Sequence, residues 1–235
     1  MFDILGVMAL VLLIAGFVWL ASRARRARRT LLKWGGVGLA GLLAVAGSAA
    51  LVVALAGFYK LNHSPYHYTV SDVKVAGTPE QLARGAKFLS VCASCHSPSG
   101  KPPLEGQDFA TDGPPIGTLY APNLTPAGEI KDWSDGEIIR AIREGVHRSG
   151  RPLLIMPSEF FRNLSDADVQ AVVAALRAQP ATSAVSPSTR LNVLGALFIG
   201  AGMFPTTAQK PITGPIVAPA EGASVEYGEY LVSFL

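Results

Sequence analysis

Cysteine is nearly absent from this chain: two in 235 residues, Cys92 and Cys95. That excludes a disulfide-stapled scaffold, and it excludes a Cys-rich zinc or iron–sulfur protein built from this chain alone. Charge is scarce as well. Only 16% of residues are Asp, Glu, Lys or Arg against 49% hydrophobic, a balance far from disorder and oilier than an ordinary soluble domain. Whole stretches have almost none: Phe2 to Ala21 carries only Asp3, and Trp34 to Tyr59 carries no charge.

The charge that is present is unevenly placed. The formal net is +3, but residues 1–60 hold seven basic residues against Asp3, while the remainder holds thirteen basic against sixteen acidic. A basic balance confined to one short segment argues against a nucleic-acid partner. Both uncharged stretches meet the requirement of about 20 apolar residues for a membrane-crossing helix, and a helix satisfies its own backbone in lipid. Between them, Ser22–Lys33 contains five arginines, which the positive-inside bias assigns to the cytoplasm. The expectation for 1–60 is a two-helix transmembrane hairpin with both ends on the periplasmic or external face of a bacterial inner membrane. A cleaved signal peptide is the rival, with Ala54-Leu55-Ala56 as its small-x-small site. The first run opens with an acid, however, and the second exceeds an h-region of about 7–15 residues. Gly36, Ala40, Ala44 and Ser48 recur every four residues, a face that admits another helix closely, either the first helix or another subunit.

After a polar lead over 61–77, three helix starts are marked by one chemistry. Thr78-Pro79-Glu80-Gln81, Ser134-Asp135-Gly136-Glu137 and Ser165-Asp166-Ala167-Asp168 each supply an N-cap hydroxyl and a polar N3 residue. Trp133 with Ile138, and Leu164 with Val169, occupy staple positions. Val169, Val172, Val173 and Leu176 then follow helical spacing. A long Gly/Pro-rich stretch, Ser97 to Asp132, separates the first two helices. A loop of that length belongs in a compact domain only when it is functional or encloses something; a large buried cofactor accounts for it. Beyond Pro180 the composition loosens. Leu191–Phe204 is an apolar run too short to span a bilayer, suited to the membrane surface or a partner, and 205–225 is Pro-rich.

Cys92-Ala93-Ser94-Cys95-His96 is C-x-x-C-H, the attachment sequence of c-type haem. Two thiols at this spacing reach the two vinyl groups of a porphyrin, and the next residue brings an imidazole beneath the iron. A thioredoxin-like dithiol requires a βαβ pattern, which is not visible, and a zinc site requires four ligands, for which no second Cys/His cluster exists. For the sixth iron ligand the chain offers Met156, His147, Met203, His63 and His67. His147 reads as a solvated residue closing the second helix, His63 and His67 as interfacial polar residues, and Met203 as packing. The choice falls on Met156, which follows Leu153-Leu154-Ile155 and precedes Pro157. A Met/His axial pair suits electron transfer, because it leaves no open iron position. Neither apolar run contains a histidine, so no bis-histidine haem lies within the membrane.

From Thr78 to Pro180 the chain resembles a class I c-type cytochrome, and in particular the cytochrome domains of bacterial membrane-bound dehydrogenases and related two-haem electron carriers. The matching segments are Cys92–His96, Ala121-Pro-Asn-Leu-Thr-Pro126, Asp132-Trp-Ser-Asp-Gly-Glu137, Gly145-Val-His-Arg-Ser-Gly-Arg-Pro152, Met156-Pro157 and Phe161–Asp168. The resemblance implies thioether bonds at Cys92 and Cys95, His96 as proximal ligand and Met156 as distal ligand. It further implies that Pro114 or Pro115 offers a carbonyl to the proximal imidazole, and that Asn123 and Trp133 line the haem pocket.

The expected fold is all-α: a transmembrane hairpin (1–60), the lead (61–77), a cytochrome c domain (78–180), an apolar run with a Pro-rich linker (181–225), and a terminal segment (226–235). Gly228-Glu-Tyr-Leu-Val-Ser-Phe echoes Gly85-Ala-Lys-Phe-Leu-Ser-Val just before Cys92, so 226–235 reads as the start of a second haem domain in a longer polypeptide. The expected function is that of a membrane-anchored electron carrier rather than an enzyme by itself. It would join a quinol-oxidising complex or periplasmic dehydrogenase to an oxidase, reaction centre or further cytochrome. The alternatives are a peroxidase-like or ligand-sensing haem domain with an open iron, and an assembly subunit of a respiratory or photosynthetic complex.

Overall fold

The computed structural model describes residues 3–109, 115–204 and 206–234. It is mainly helical: α1 Ile4–Ala24, α2 Thr30–Asn62, α3 Pro79–His96, α4 Asp135–Glu144, α5 Ser158–Phe161, α6 Asp166–Ala178, α7 Val193–Gly200 and α8 Val225–Val232. Four two-residue strands, β1 Gln107–Asp108, β2 Gly117–Thr118, β3 Tyr120–Ala121 and β4 Arg190–Leu191, lie in the connecting chain. The molecule divides into two units. One comprises 1–61, 115–117 and 190–204; the other comprises 62–114, 118–189 and 205–235.

In the first unit, α1 and α2 are both long and apolar enough to cross a membrane. Their side chains point outward along most of their length; Leu5, Leu12, Leu39 and Val45 are all more than 60% exposed. Where the two helices meet, small residues permit it. A Cβ on Gly36 would stand 2.9 Å from Ala24 Cβ, and one on Gly47 would stand 3.0 Å from Ile14 Cγ1. Ala40 and Ala44 are buried. The small-residue face therefore packs within the hairpin, and its fourth member is Gly47 rather than Ser48, which is exposed and bonds back to the Ala44 carbonyl. A strict four-residue repeat drifts off a 3.6-residue helix, and one step of three restores it.

The run Leu191–Phe204 finds its partner in α2. Ala54, Phe58 and Ala196 form one buried cluster. The backbones approach so closely that a Cβ on Gly57 would fall 1.8 Å from the Ala196 carbonyl oxygen, and one on Gly200 would fall 1.9 Å from that of Val53.

In the second unit, each expected helix start is realised. Thr78 with Gln81 and Ser134 with Glu137 form complete capping boxes, and the Ser165 hydroxyl accepts from the Asp168 amide. Helices α3 and α6 cross at Gly85, where a Cβ would lie 1.9 Å from the Ala171 carbonyl oxygen. Leu89, Ala93, Ile138, Ile142, Val169, Val173 and Leu176 form the core of this unit. Asp168, with its side chain fully buried, is paired to Arg84 and accepts from Ser165 and Tyr230 hydroxyls. Helix α4 stops at Glu144 because Gly145 turns left-handed at φ +66°, so His147 lies beyond the helix and does not close it. The segment expected to begin another domain packs here: Tyr230 and Leu231 of α8 rest on the core, and Phe234 is buried against it.

Candidate haem site

The last turn of α3 carries Cys92, Cys95 and His96. Both thiols are free. Cys92 packs on the core, and burial pushes its thiol up to about 11. His96 is fixed by its Nδ1, which donates to the carbonyl of Pro122 over 2.9 Å. Burial lowers the basicity of the ring, and the Pro122 carbonyl offsets this in part, so the imidazole stays neutral. Among the described residues no hydrogen bond meets Nε2, which leaves that nitrogen for a metal.

Pro122 was not assigned from the sequence, and it displaces an assigned residue. The carbonyl of Pro115 instead accepts from the Asn192 side chain at 2.8 Å, and Pro114 lies outside the described residues. The physical reason is the path of the loop. Gly106 N donates to the His96 carbonyl and Leu124 N to that of Leu104, which lays the segment after β3 alongside the end of α3.

Asn123 holds that segment in place. Its Nδ2 donates to the Ala184 carbonyl at 2.9 Å and to Thr182, its Oδ1 accepts from Thr125 N at 2.8 Å, and its backbone N–H donates to Ser186 Oγ at 2.7 Å. Trp133 is 7% exposed and stands edge-on to His147 at 4.8 Å between ring centroids. Asn123 and Trp133 do line one open cleft together, with Gly128, Glu129, Arg148 and residues 182–186. Neither cysteine, His96 nor Met156 lines that cleft.

Met156 packs on the same core as Cys92, in a loop tied at both ends. Leu153 N donates to the Gly145 carbonyl at 2.7 Å, Met156 N to Leu154 O at 2.7 Å, and Ser158 N to Met156 O at 2.8 Å. Met156 thus sits between two three-residue turns. The first is centred on Ile155 at φ +65°, a left-handed conformation that is a steric outlier for a β-branched residue. Such conformations persist where the surrounding structure over-determines them, and they cluster at functional sites.

The other ligand candidates are engaged or exposed. His147 is half-buried, with both nitrogens in use. Nδ1 accepts from Ser149 N, so Nε2 carries the proton and donates to Glu129 at 2.9 Å. Met203 is 71% exposed in the other unit; His63 and His67 are exposed. Cys92 and Met156 thus share one apolar core, and Cys95 and the His96 imidazole stand beside Cys92 at the end of α3; thiols, an imidazole and a thioether are donor types that suit haem c.

The match to known proteins agrees with that chemistry. Residues 82–179 match the cytochrome c family, and the chain contains a cytochrome c domain. Among its relatives, a subunit of nicotinate dehydrogenase from Pseudomonas putida is 40% identical over 116 residues, 47% of this chain and 10% of that protein. The cytochrome c subunit of alcohol dehydrogenase (quinone) from Gluconobacter oxydans is 30% identical over 127 residues, 52% of this chain and 25% of the relative. The gluconate 2-dehydrogenase cytochrome c subunit of Pantoea cypripedii is 38% identical over 101 residues, covering 40% and 21%. The chain spans a quarter or less of the length of these relatives.

Proposed function

We propose that this chain is a membrane-anchored c-type cytochrome that carries single electrons for a dehydrogenase complex. When bound, haem c supplies one-electron iron redox chemistry. Cys92 and Cys95 would hold it through thioethers, His96 and Met156 would ligate its iron, and the core around Leu89, Ala93 and Ile142 would keep water from it. The Pro122 carbonyl fixes the tautomer and orientation of His96, as a partner on the second nitrogen of a ligating histidine does. A Met/His pair raises the potential.

The hairpin α1–α2 spans a bacterial inner membrane twice. The arginines between the helices stay on the cytoplasmic side, and residues 78–180 work on the periplasmic side. The donor is a periplasmic dehydrogenase or a quinol-oxidising complex; the acceptor is an oxidase, a reaction centre or another cytochrome. The kinship with dehydrogenase subunits supports the first of these donors.

The observation that carries this reading is His96 at the end of a C-x-x-C-H helix, one ring nitrogen bonded to Pro122 and the other without a partner among the described residues. The test is the full chain matured in a cell that attaches haem c. Haem should stay with the polypeptide through denaturation and acid extraction. It should be reduced when the membranes are given a dehydrogenase substrate. Haem that washes out, or that stays oxidised while the membranes respire, would overturn the reading.

A further inference from the structure

We infer that α7 is an interfacial helix: it lies in the headgroup layer of the bilayer and joins the same-side ends of the two spanning helices. The inference rests on reading α1 and α2 as spans.

The observations come from both ends of α7. At its start, the Val193 amide donates to Asp3 Oδ2 at 3.1 Å, while Asp3 Oδ1 accepts from Gly6 N at 2.9 Å. One carboxylate therefore caps α1 and α7 together. At its end, Lys60 Nζ donates to the Gly200 carbonyl at 3.1 Å. A carboxylate at a helix N-terminus and an ammonium at its C-terminus both complement the helix dipole. Asp3 is the residue before the first span and Lys60 closes the second, so both belong at the level where polar groups meet lipid. A helix anchored to both is held at that depth. Its eight residues extend about 12 Å, close to the 8–10 Å between packed helix axes, which is the distance it must bridge.

The occupant of its outer face is lipid. From Leu191 to Phe204 there is no charge. Ala196 is buried against Ala54 and Phe58 of α2 and Ile199 is buried as well, whereas Leu194 is 38% and Met203, just past the helix, is 71% exposed. That exposed side continues the apolar surface of the spans, and apolar faces of this kind sit about 5–10 Å into the headgroup and acyl boundary. Along the chain, the second unit ends at Thr189 and resumes at Pro205, so a surface-bound α7 attaches it to the bilayer a second time, besides Leu61.

The test uses the full haem-loaded chain in phosphatidylcholine–phosphatidylglycerol vesicles, with nitroxide labels at Leu194→Cys and Met203→Cys. Leu12→Cys, midway along α1, serves as the deep reference, and Val217→Cys, 82% exposed, as the aqueous one. The parent chain supplies the background from Cys92 and Cys95. The expected result is a ratio of oxygen to nickel-chelate accessibility severalfold above that of Val217→Cys and below that of Leu12→Cys. Labels at Leu194→Cys and Met203→Cys as open to the chelate as Val217→Cys would overturn the inference and leave the spans standing, and so would labels shielded from both reagents by another protein. A Leu12→Cys label open to the chelate would instead overturn the spans.

Discussion

His96 Nδ1 and the carbonyl oxygen of Pro122 lie 2.9 Å apart across twenty-six positions of sequence, and the bond depends on the loop that carries Pro122. Asn123 ties that loop to residues 182–186 through its Nδ2 and its backbone N–H, while its Oδ1 accepts from the Thr125 amide. Asn123→Ala leaves the buried Thr125 amide without its acceptor, a loss of about 1–3 kcal/mol. The thermal midpoint should fall by about 4–8 °C for each kcal/mol in a domain of this size. Ser186→Ala removes one bond from the same staple and should cost about 0.5–1.5 kcal/mol. Equal midpoints for Asn123→Ala and the parent would show that the staple contributes nothing.

Met156→Ala should open an iron position. The reduced, haem-loaded variant is expected to bind carbon monoxide, seen as a shift in its visible spectrum, and its midpoint potential should drop. Met203→Ala should behave as the parent, since Met203 is 71% exposed and lies in the other unit. Carbon monoxide binding by the Met203 variant alone would transfer the ligand role to Met203.

Local chemistry was legible in the sequence and long-range aim was not. Thr78, Ser134 and Ser165 announce their helices because a cap is a contact between residues three apart. The haem motif is equally local. Pro122 was hidden because every residue carries a carbonyl, and only the path of the backbone decides which one faces His96. Its one sequence signal is Asn123 beside it, a side chain able to tie down a loop. His147 was misplaced because the left-handed turn at Gly145 ends α4 two residues earlier. The run Leu191–Phe204 is apolar on every side, so its periodicity could not say which face Gly57 and Ala54 would cover.

Gly85→Ala should reverse the usual sign of its class. Within a helix, Ala is normally favoured over Gly by about 1 kcal/mol. At Gly85 the new Cβ would fall 1.9 Å from the Ala171 carbonyl, and backbone cannot rotate aside as a side chain does. We expect a net loss of about 1–3 kcal/mol, the range for overpacked cores. Gly228→Ala, which meets nothing within 4 Å, serves as the control and should be neutral or mildly stabilising. Urea unfolding of the two variants separates these outcomes.

Asp168 should make the second unit acid-sensitive. Burial pushes its carboxyl up, but hydrogen bonds from Arg84, Tyr230 and Ser165 outweigh this and hold it below its ordinary value of 3.8. A depressed value means that the contribution is complete above the ordinary range and is lost as pH falls through the folded value. The stability of the parent should therefore decline below about pH 4. Asp168→Asn should be less stable at neutral pH and lose this part of the decline. Tyr230→Phe should cost about 1.5–3 kcal/mol, as for a bond to a charged group. A parent whose stability is flat from pH 6 to about pH 2 would contradict the assignment.

Removing residues 1–60 should fail to give a well-behaved soluble protein. The fragment keeps α7, whose Ala196 is 0% exposed in the intact chain because Ala54 and Phe58 of α2 cover it. Without α2 and Asp3, the run from Leu191 to Phe204 presents a charge-free apolar surface, and its helix keeps the Asn192 cap but loses the Asp3 carboxylate and the Lys60 ammonium at its ends. Surfaces of that kind drive association with membranes or with other copies. The haem site itself gains nothing from α2, since Cys92, Cys95, His96, Pro122 and Met156 all belong to the second unit. The expected pattern is thus a fragment that takes up haem normally but sediments with membranes or elutes as aggregates. Replacing 190–204 with a short Gly/Ser linker in the same fragment should restore a monomer on gel filtration while the visible spectrum stays unchanged. A fragment that is already monomeric with 190–204 intact would show that α7 needs neither α2 nor lipid.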